Sequence, residues 1–149
     1  MAENEVGRID KCTKCSMLLA HALRNATAAV DREDTSHLDY SKAHITSAVE
    51  RNCMTPALGE YHREYLDRIK KLIEEKEVVE ASRKLLDYTD IVGERIVHMA
   101  RETCYGKRSN VPEKPTKEEL RKIFAKALED ALEREVAPGT RLIDFVAEG

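Results

Sequence analysis

The four cysteines are the residues of this chain most suited to chemistry. Cys12 and Cys15 form a Cys-x-x-Cys pair near the start of the 149-residue sequence, and Cys53 and Cys104 stand alone. Four thiolates match the ligand set of a tetrahedral zinc site or of a [4Fe-4S] cluster. We therefore hypothesise that Cys12, Cys15, Cys53 and Cys104 are metal ligands, with electron transfer, sensing or structural support as the function.

Two other interpretations of the cysteines stay open. Cysteine is among the most buried residue types, so all four can be core or free thiols that bind no metal. Cys12 and Cys15 can also form a redox pair, because Lys11, Lys14 and a helix N-terminus all favour the thiolate. The βαβ pattern that accompanies thioredoxin-like pairs is missing from the sequence.

Disulfides are expected less than thiols or metal ligands because the chain is predicted to be cytoplasmic. Residues 1–5 are acidic and polar, which argues against a signal peptide. No apolar run approaches the ~20 residues of a membrane span. The two signs of charge are interspersed at a net charge of −3, which argues against nucleic acid as a partner.

The elements that position the cysteines are predicted to be helices. Hydrophobic residues make up 42% and charged residues 36% of a chain with six Gly and four Pro, and this composition favours an all-α protein. A first helix is predicted to start at Asp10 or Thr13 and to end in the polar run 31–36. Its apolar stripe recurs at three- and four-residue steps and consists of Cys12, Cys15, Leu19, Leu23, Ala26 and Val30.

Capping signals predict the other helix starts. Ser36 is predicted to cap a second helix, Thr55 with Pro56 a third, and Thr116 with Glu119 the last. Residues 56–104 contain no strong breaker, so they form either one long helix or a hairpin that turns at 74–77. The third helix is predicted to bury the stripe Leu58, Tyr61, Tyr65, Ile69 and Leu72. We predict the hairpin, because that stripe is interrupted at 74–77 and a new one, which includes Tyr88, begins at Val78.

The predicted fold is an up-down four-helix bundle plus a fifth C-terminal helix and a short terminal turn. Residues 1–149 are taken as one domain, with 1–9 as a flexible N-terminus and 107–115 as a linker. Helices that alternate in direction place all four cysteines at the same end of the bundle. The shared metal site therefore depends on the reversal at 74–77.

The histidines give a weaker signal. Among His21, His44, His62 and His98, helical phase points only His62 inward, while His21 and His98 fall nearly opposite their apolar stripes. A solvated, salt-bridged face explains His98 with Glu94 better than a metal site does.

One further motif concerns catalysis. Arg32 and His37 have the Arg-x-x-x-x-His spacing, which resembles that of helical HEPN-type ribonucleases over six residues. This resemblance implies a ribonuclease as a distant third hypothesis. The main alternative to the metal protein is a cofactor-free interaction or regulatory bundle. Long amphipathic helices make a protein partner or self-association the expected form of that function.

Overall fold

A computed structural model of the chain describes residues 2–99 and 116–133. These residues form five α-helices: α1 (Ala2–Arg32), α2 (Ser36–Glu50), α3 (Pro56–Glu74), α4 (Val78–Met99) and α5 (Lys117–Glu133). The described residues contain no β-strand, and the all-α prediction is confirmed. The predicted linker and terminal turn lie outside these residues.

Contacts between Cα atoms divide the chain into two compact units. One unit is residues 18–89, and the other combines residues 1–17 with residues 90–149. α1 and α4 each pass from one unit to the other. The up-down arrangement is compatible with the contacts within the units, and the single domain stays a prediction.

α1 begins earlier than predicted but buries the predicted stripe. The helix already starts at Ala2, before the candidate caps Asp10 and Thr13. All six residues of its stripe are buried, as expected for the core face of an amphipathic helix. Within unit 18–89, the Ser41 hydroxyl of α2 donates to the carbonyl oxygen of Ala22 in α1 at 2.6 Å.

The turn from α1 to α2 is capped by a different residue from the predicted one. Ser36 is the first residue of α2, and its backbone N–H and its hydroxyl both donate to Oδ1 of Asp34, at 3.0 and 2.7 Å. These two bonds lower the pKa of the Asp34 carboxyl because they favour the charged form. The prediction that Ser36 caps the helix was therefore wrong: the N-cap position belongs to Thr35, whose side chain makes no capping hydrogen bond, and Asp34 accepts the two bonds from Ser36.

α3 starts as predicted but faces the core with a rotated stripe. The backbone N–H of Leu58 donates to the hydroxyl oxygen of Thr55 at 3.2 Å, and Pro56 occupies the first helical position. Tyr61, predicted to be buried, is 48% exposed. The core face instead comprises Gly59, His62, Tyr65, Leu66, Ile69 and Ile73.

The reversal at residues 74–77 is confirmed. α3 ends at Glu74 and α4 begins at Val78. Between them Lys76 adopts a left-handed conformation with φ of 64°, and the N–H of Glu77 donates to the carbonyl oxygen of Leu72 at 2.9 Å. This conformation and this hydrogen bond end α3 with Lys76 in the left-handed position that glycine usually occupies.

In the second unit, α4 and α5 pack closely at a glycine. A Cβ atom built on Gly93 would lie 2.8 Å from the Phe124 ring, so only a hydrogen atom fits between the helices there. Arg121 on α5 forms an ion pair with Asp90 on α4 at 2.7 Å. The predicted capping box is present: the Glu119 N–H donates to the Thr116 hydroxyl at 3.1 Å, and the Thr116 N–H donates back to Glu119 at 3.4 Å.

Candidate functional sites

The described cysteines are oxidised and buried. Cys12, Cys15 and Cys53 expose 2%, 2% and 3% of their surfaces, and each is bonded in a disulfide. Their burial agrees with the core placement predicted from the sequence, whereas the expectation of thiols in preference to disulfides was wrong for these three residues. Cys104 lies outside the described residues.

Sulfur oxidation state decides what these cysteines can bind. Zinc and iron–sulfur clusters are held by thiolates, and a disulfide sulfur carries no such charge. Within residues 2–99 and 116–133, no three His, Cys, Asp or Glu side chains are grouped so as to hold a metal ion. The four-cysteine metal site therefore stays a prediction that concerns the reduced chain.

A buried polar pair lies between α3 and α4. His62 has no exposed surface, as its predicted inward phase requires, and Tyr88 on α4 has none either. Nδ1 of His62 and the Tyr88 hydroxyl form a hydrogen bond of 2.9 Å. Burial raises the pKa of Tyr88 above its ordinary value, since the phenolate would be poorly solvated there.

Tyr65 extends this pair toward the surface. Its ring stacks on that of Tyr88 with centroids 5.9 Å apart, and its hydroxyl donates to Oδ2 of Asp87 at 3.2 Å. Burial, followed by the nearby charge of Asp87, raises the pKa of Tyr65 to about 12. The apolar stripes had placed both tyrosines in the core, but they gave no sign of the histidine and carboxylate partners.

A second histidine contact joins α1 and α2. The rings of His21 and His44 stack with centroids 5.5 Å apart and planes inclined at 28°. Both side chains are half-buried, so His21, which was predicted to lie nearly opposite the apolar stripe of α1, nevertheless contacts a neighbouring helix. Adjacent antiparallel helices bring the two rings together, and the phase of α1 alone cannot show this.

The remaining histidines lie beside carboxylates. Nε2 of His98 is 3.7 Å from Glu94 on the same face of α4, in agreement with the predicted polar face. Nε2 of His37 is 3.9 Å from Asp34. Arg32 ends α1, so Arg32 and His37 flank the predicted inter-helix turn.

Comparison with known proteins gives no relative. No family model matches the chain, no curated protein matches it, and no solved structure matches it. Among the helices of the described residues, none is long and apolar enough to cross a membrane.

Proposed function

We propose that this protein is an interaction or regulatory helical bundle in which the cysteines act as cross-links and not as cofactor ligands. The observation that carries this proposal is the oxidised, buried state of Cys12, Cys15 and Cys53. A disulfide stabilises a small protein mainly by constraining its unfolded chain, typically by about 2–4 kcal/mol. A rigid bundle of this kind presents its helix faces to a partner with little loss of conformational entropy.

We propose Cys15 and Cys53 as one bonded pair. Both are buried and oxidised, and Cys53 follows α2 directly, where its N–H donates to the carbonyl oxygen of Ala48 at 2.8 Å. The second intramolecular pair would then join Cys12 to Cys104.

The predicted cytoplasmic location can be tested through these bonds. Disulfides are rare in a reducing cytosol, and structural ones have reduction potentials below about −300 mV. We expect the oxidised chain to survive equilibration with glutathione at the cytosolic potential, with its thiols then counted by alkylation. Full reduction under those conditions would mean that the working form in the cytosol is the dithiol.

The zinc or [4Fe-4S] protein is the alternative function, and it requires reduced Cys12, Cys15, Cys53 and Cys104. Metal analysis of the chain purified without added reductant separates the two functions. The cross-linked bundle predicts no stoichiometric metal and no alkylation of Cys12, Cys15 or Cys53. Stoichiometric zinc, or the brown colour of an iron–sulfur cluster, would support the alternative.

For the partner, we propose a second copy of this chain, bound through the first half of α4. Val79 and Leu86 each leave 67% of their surface exposed. They are seven residues apart and therefore share one helix face. Two α4 helices that pair in antiparallel orientation about a two-fold axis place each Val79 beside the Leu86 of the partner, so this face is complementary to itself.

Sedimentation velocity over a range of concentrations tests this partner. Leu86→Glu should shift the protein toward the monomer, because it buries a charge in the paired face. Tyr40→Glu is the matched control, since Tyr40 is a 61% exposed apolar side chain on α2. A monomeric parent protein, or equal effects of the two substitutions, would exclude self-association through α4.

A further inference from the structure

His21 and His44 combine features of a ligand site that the proposed function does not use. They lie on different helices, and their ring centroids are 5.5 Å apart. Within the part of the chain that the structure describes, the ring nitrogens of His21 and His44 make no hydrogen bond. The side chain of Asn25 donates to the backbone carbonyl oxygen of His21 at 2.9 Å and not to its ring. The ring nitrogens are therefore available to an external ligand.

The environment of His44 also disfavours its charged form. Partial burial, followed by the charge of His21, lowers the pKa of His44 below its ordinary value. Both causes disfavour the imidazolium cation, because it would be poorly solvated and would face a second cation. A neutral imidazole keeps a nitrogen lone pair for coordination.

We propose that His21 and His44 form a two-histidine site for a first-row divalent transition metal ion. Imidazole is a preferred ligand of Zn²⁺, Ni²⁺ and Cu²⁺. With metal–nitrogen distances of about 2.1 Å and tetrahedral angles, two imidazoles on one ion have centroids about 5 Å apart. The observed 5.5 Å lies close to that value, so both rings can reach one ion once their side chains rotate to turn a nitrogen of each ring toward it, with water as the other ligands.

Such an ion would join α1 to α2 without using Val79 or Leu86 of the α4 face. Because it binds the folded pair and not the separated helices, it would stabilise the native state by mass action. The site is thus a candidate regulatory input to the bundle. It is independent of the cysteines, since it requires no thiolate.

Ni²⁺ titration of the oxidised, tag-free chain tests the proposal, with the melting temperature and calorimetric binding as readouts. We expect Ni²⁺ to raise the melting temperature of the parent protein. His21→Gln and His44→Gln should each weaken Ni²⁺ binding by about tenfold or more, because each removes one of two ligands. His98→Gln is the matched control and should bind as the parent does, since His98 lies on α4 beside Glu94.

Two further observations keep the test decisive. Circular dichroism of the metal-free variants shows whether the Gln substitutions leave the helices intact, and Cu²⁺ electron paramagnetic resonance reports how many nitrogens bind the ion. Two coordinated nitrogens in the parent and one in each variant are expected. Absence of Ni²⁺ binding, equal affinity in all variants, or loss of binding in His98→Gln would overturn the proposal.

Discussion

Tyr88 and Tyr65 show how single polar groups are accommodated inside this helical protein. The Tyr88 hydroxyl is bonded to Nδ1 of His62, and the Tyr65 hydroxyl is bonded to Asp87. A buried hydroxyl without a partner costs about 1–3 kcal/mol, so these bonds make the aromatic contact between α3 and α4 tolerable. They also favour one packing of α3 against α4, because each bond forms only when its donor and acceptor atoms face each other.

The raised pKa of Tyr65 predicts a loss of stability at alkaline pH. Its pKa is about 12 in the folded protein against 10.0 ordinarily, so the folded state favours the neutral phenol. That contribution is complete below pH 10 and is lost as the pH rises toward 12. A chemical melt repeated across this range should show falling stability, and Tyr65→Phe should flatten the curve.

Tyr40→Phe is the control for this pH dependence, because Tyr40 is 61% exposed. At neutral pH, Tyr65→Phe should cost only about 0.5–1.5 kcal/mol, the usual value of one hydrogen bond. Phenolate absorbance during an alkaline titration gives a second measurement. If Tyr65 ionised near the ordinary tyrosine value of 10.0 in the folded protein, its raised pKa would be refuted.

Residue-level features were only partly predictable from the sequence. Periodicity placed Cys12, Cys15 and Tyr88 in the core, because a stripe of apolar residues reports burial directly. It missed the stacking of His21 on His44, which depends on the register between two helices. It also missed the oxidation of the cysteines, because their side-chain type does not reveal their redox state.

At the scale of the elements, Gly93 on α4 lies directly against the ring of Phe124 on α5. Gly93→Ala brings two opposed effects. Alanine favours the helix by about 1 kcal/mol over glycine, but its Cβ would meet the Phe124 ring at 2.8 Å, and overpacking costs about 1–3 kcal/mol. We expect a net destabilisation of about 1 kcal/mol in a denaturant melt.

A double-mutant cycle separates those two effects. In a Phe124→Ala background the clash is removed, so Gly93→Ala should become stabilising by up to about 1 kcal/mol. The change of sign is the signature of close packing between α4 and α5. A substitution that stabilises equally in both backgrounds would show that the two residues do not meet.

The start of α5 gives a second prediction for the elements. Thr116→Ala removes the hydroxyl that accepts the Glu119 N–H, so it should cost about 1 kcal/mol, the usual value of an N-cap. Thr116→Ser keeps the hydroxyl and should be close to neutral in the same melt. An alanine variant as stable as the parent would contradict the cap.

Helix boundaries were predictable where a cap has one clear candidate, as at Thr55 and Thr116. The prediction failed at the start of α2. There the Asp34 carboxylate accepts hydrogen bonds from both the backbone N–H and the hydroxyl of Ser36. The prediction also failed on the face of α3. Tyr61 and His62 are neighbours: helical phase correctly placed His62 inward, but the apolar character of tyrosine led to Tyr61 being placed on the buried stripe as well.

For the whole molecule, the central question is how the four cysteines are joined. Four cysteines allow three disulfide connectivities, and we propose the one that joins Cys15 to Cys53 and Cys12 to Cys104. Cross-linking distant parts of the chain accounts for cysteines that are buried, oxidised and far apart in sequence. A metal protein would instead keep them reduced around one ion or cluster.

Tryptic peptide mapping of the unreduced, alkylated protein tests this account most directly. Cleavage after Lys14 separates Cys12 from Cys15, and residues 52–63 and 102–107 carry Cys53 and Cys104 on peptides of their own. Each disulfide therefore appears as one linked pair of peptides. We predict that residues 15–24 are linked to 52–63 and that 12–14 are linked to 102–107. Alkylated Cys12, Cys15 or Cys53 in the unreduced protein would contradict the cross-linked bundle.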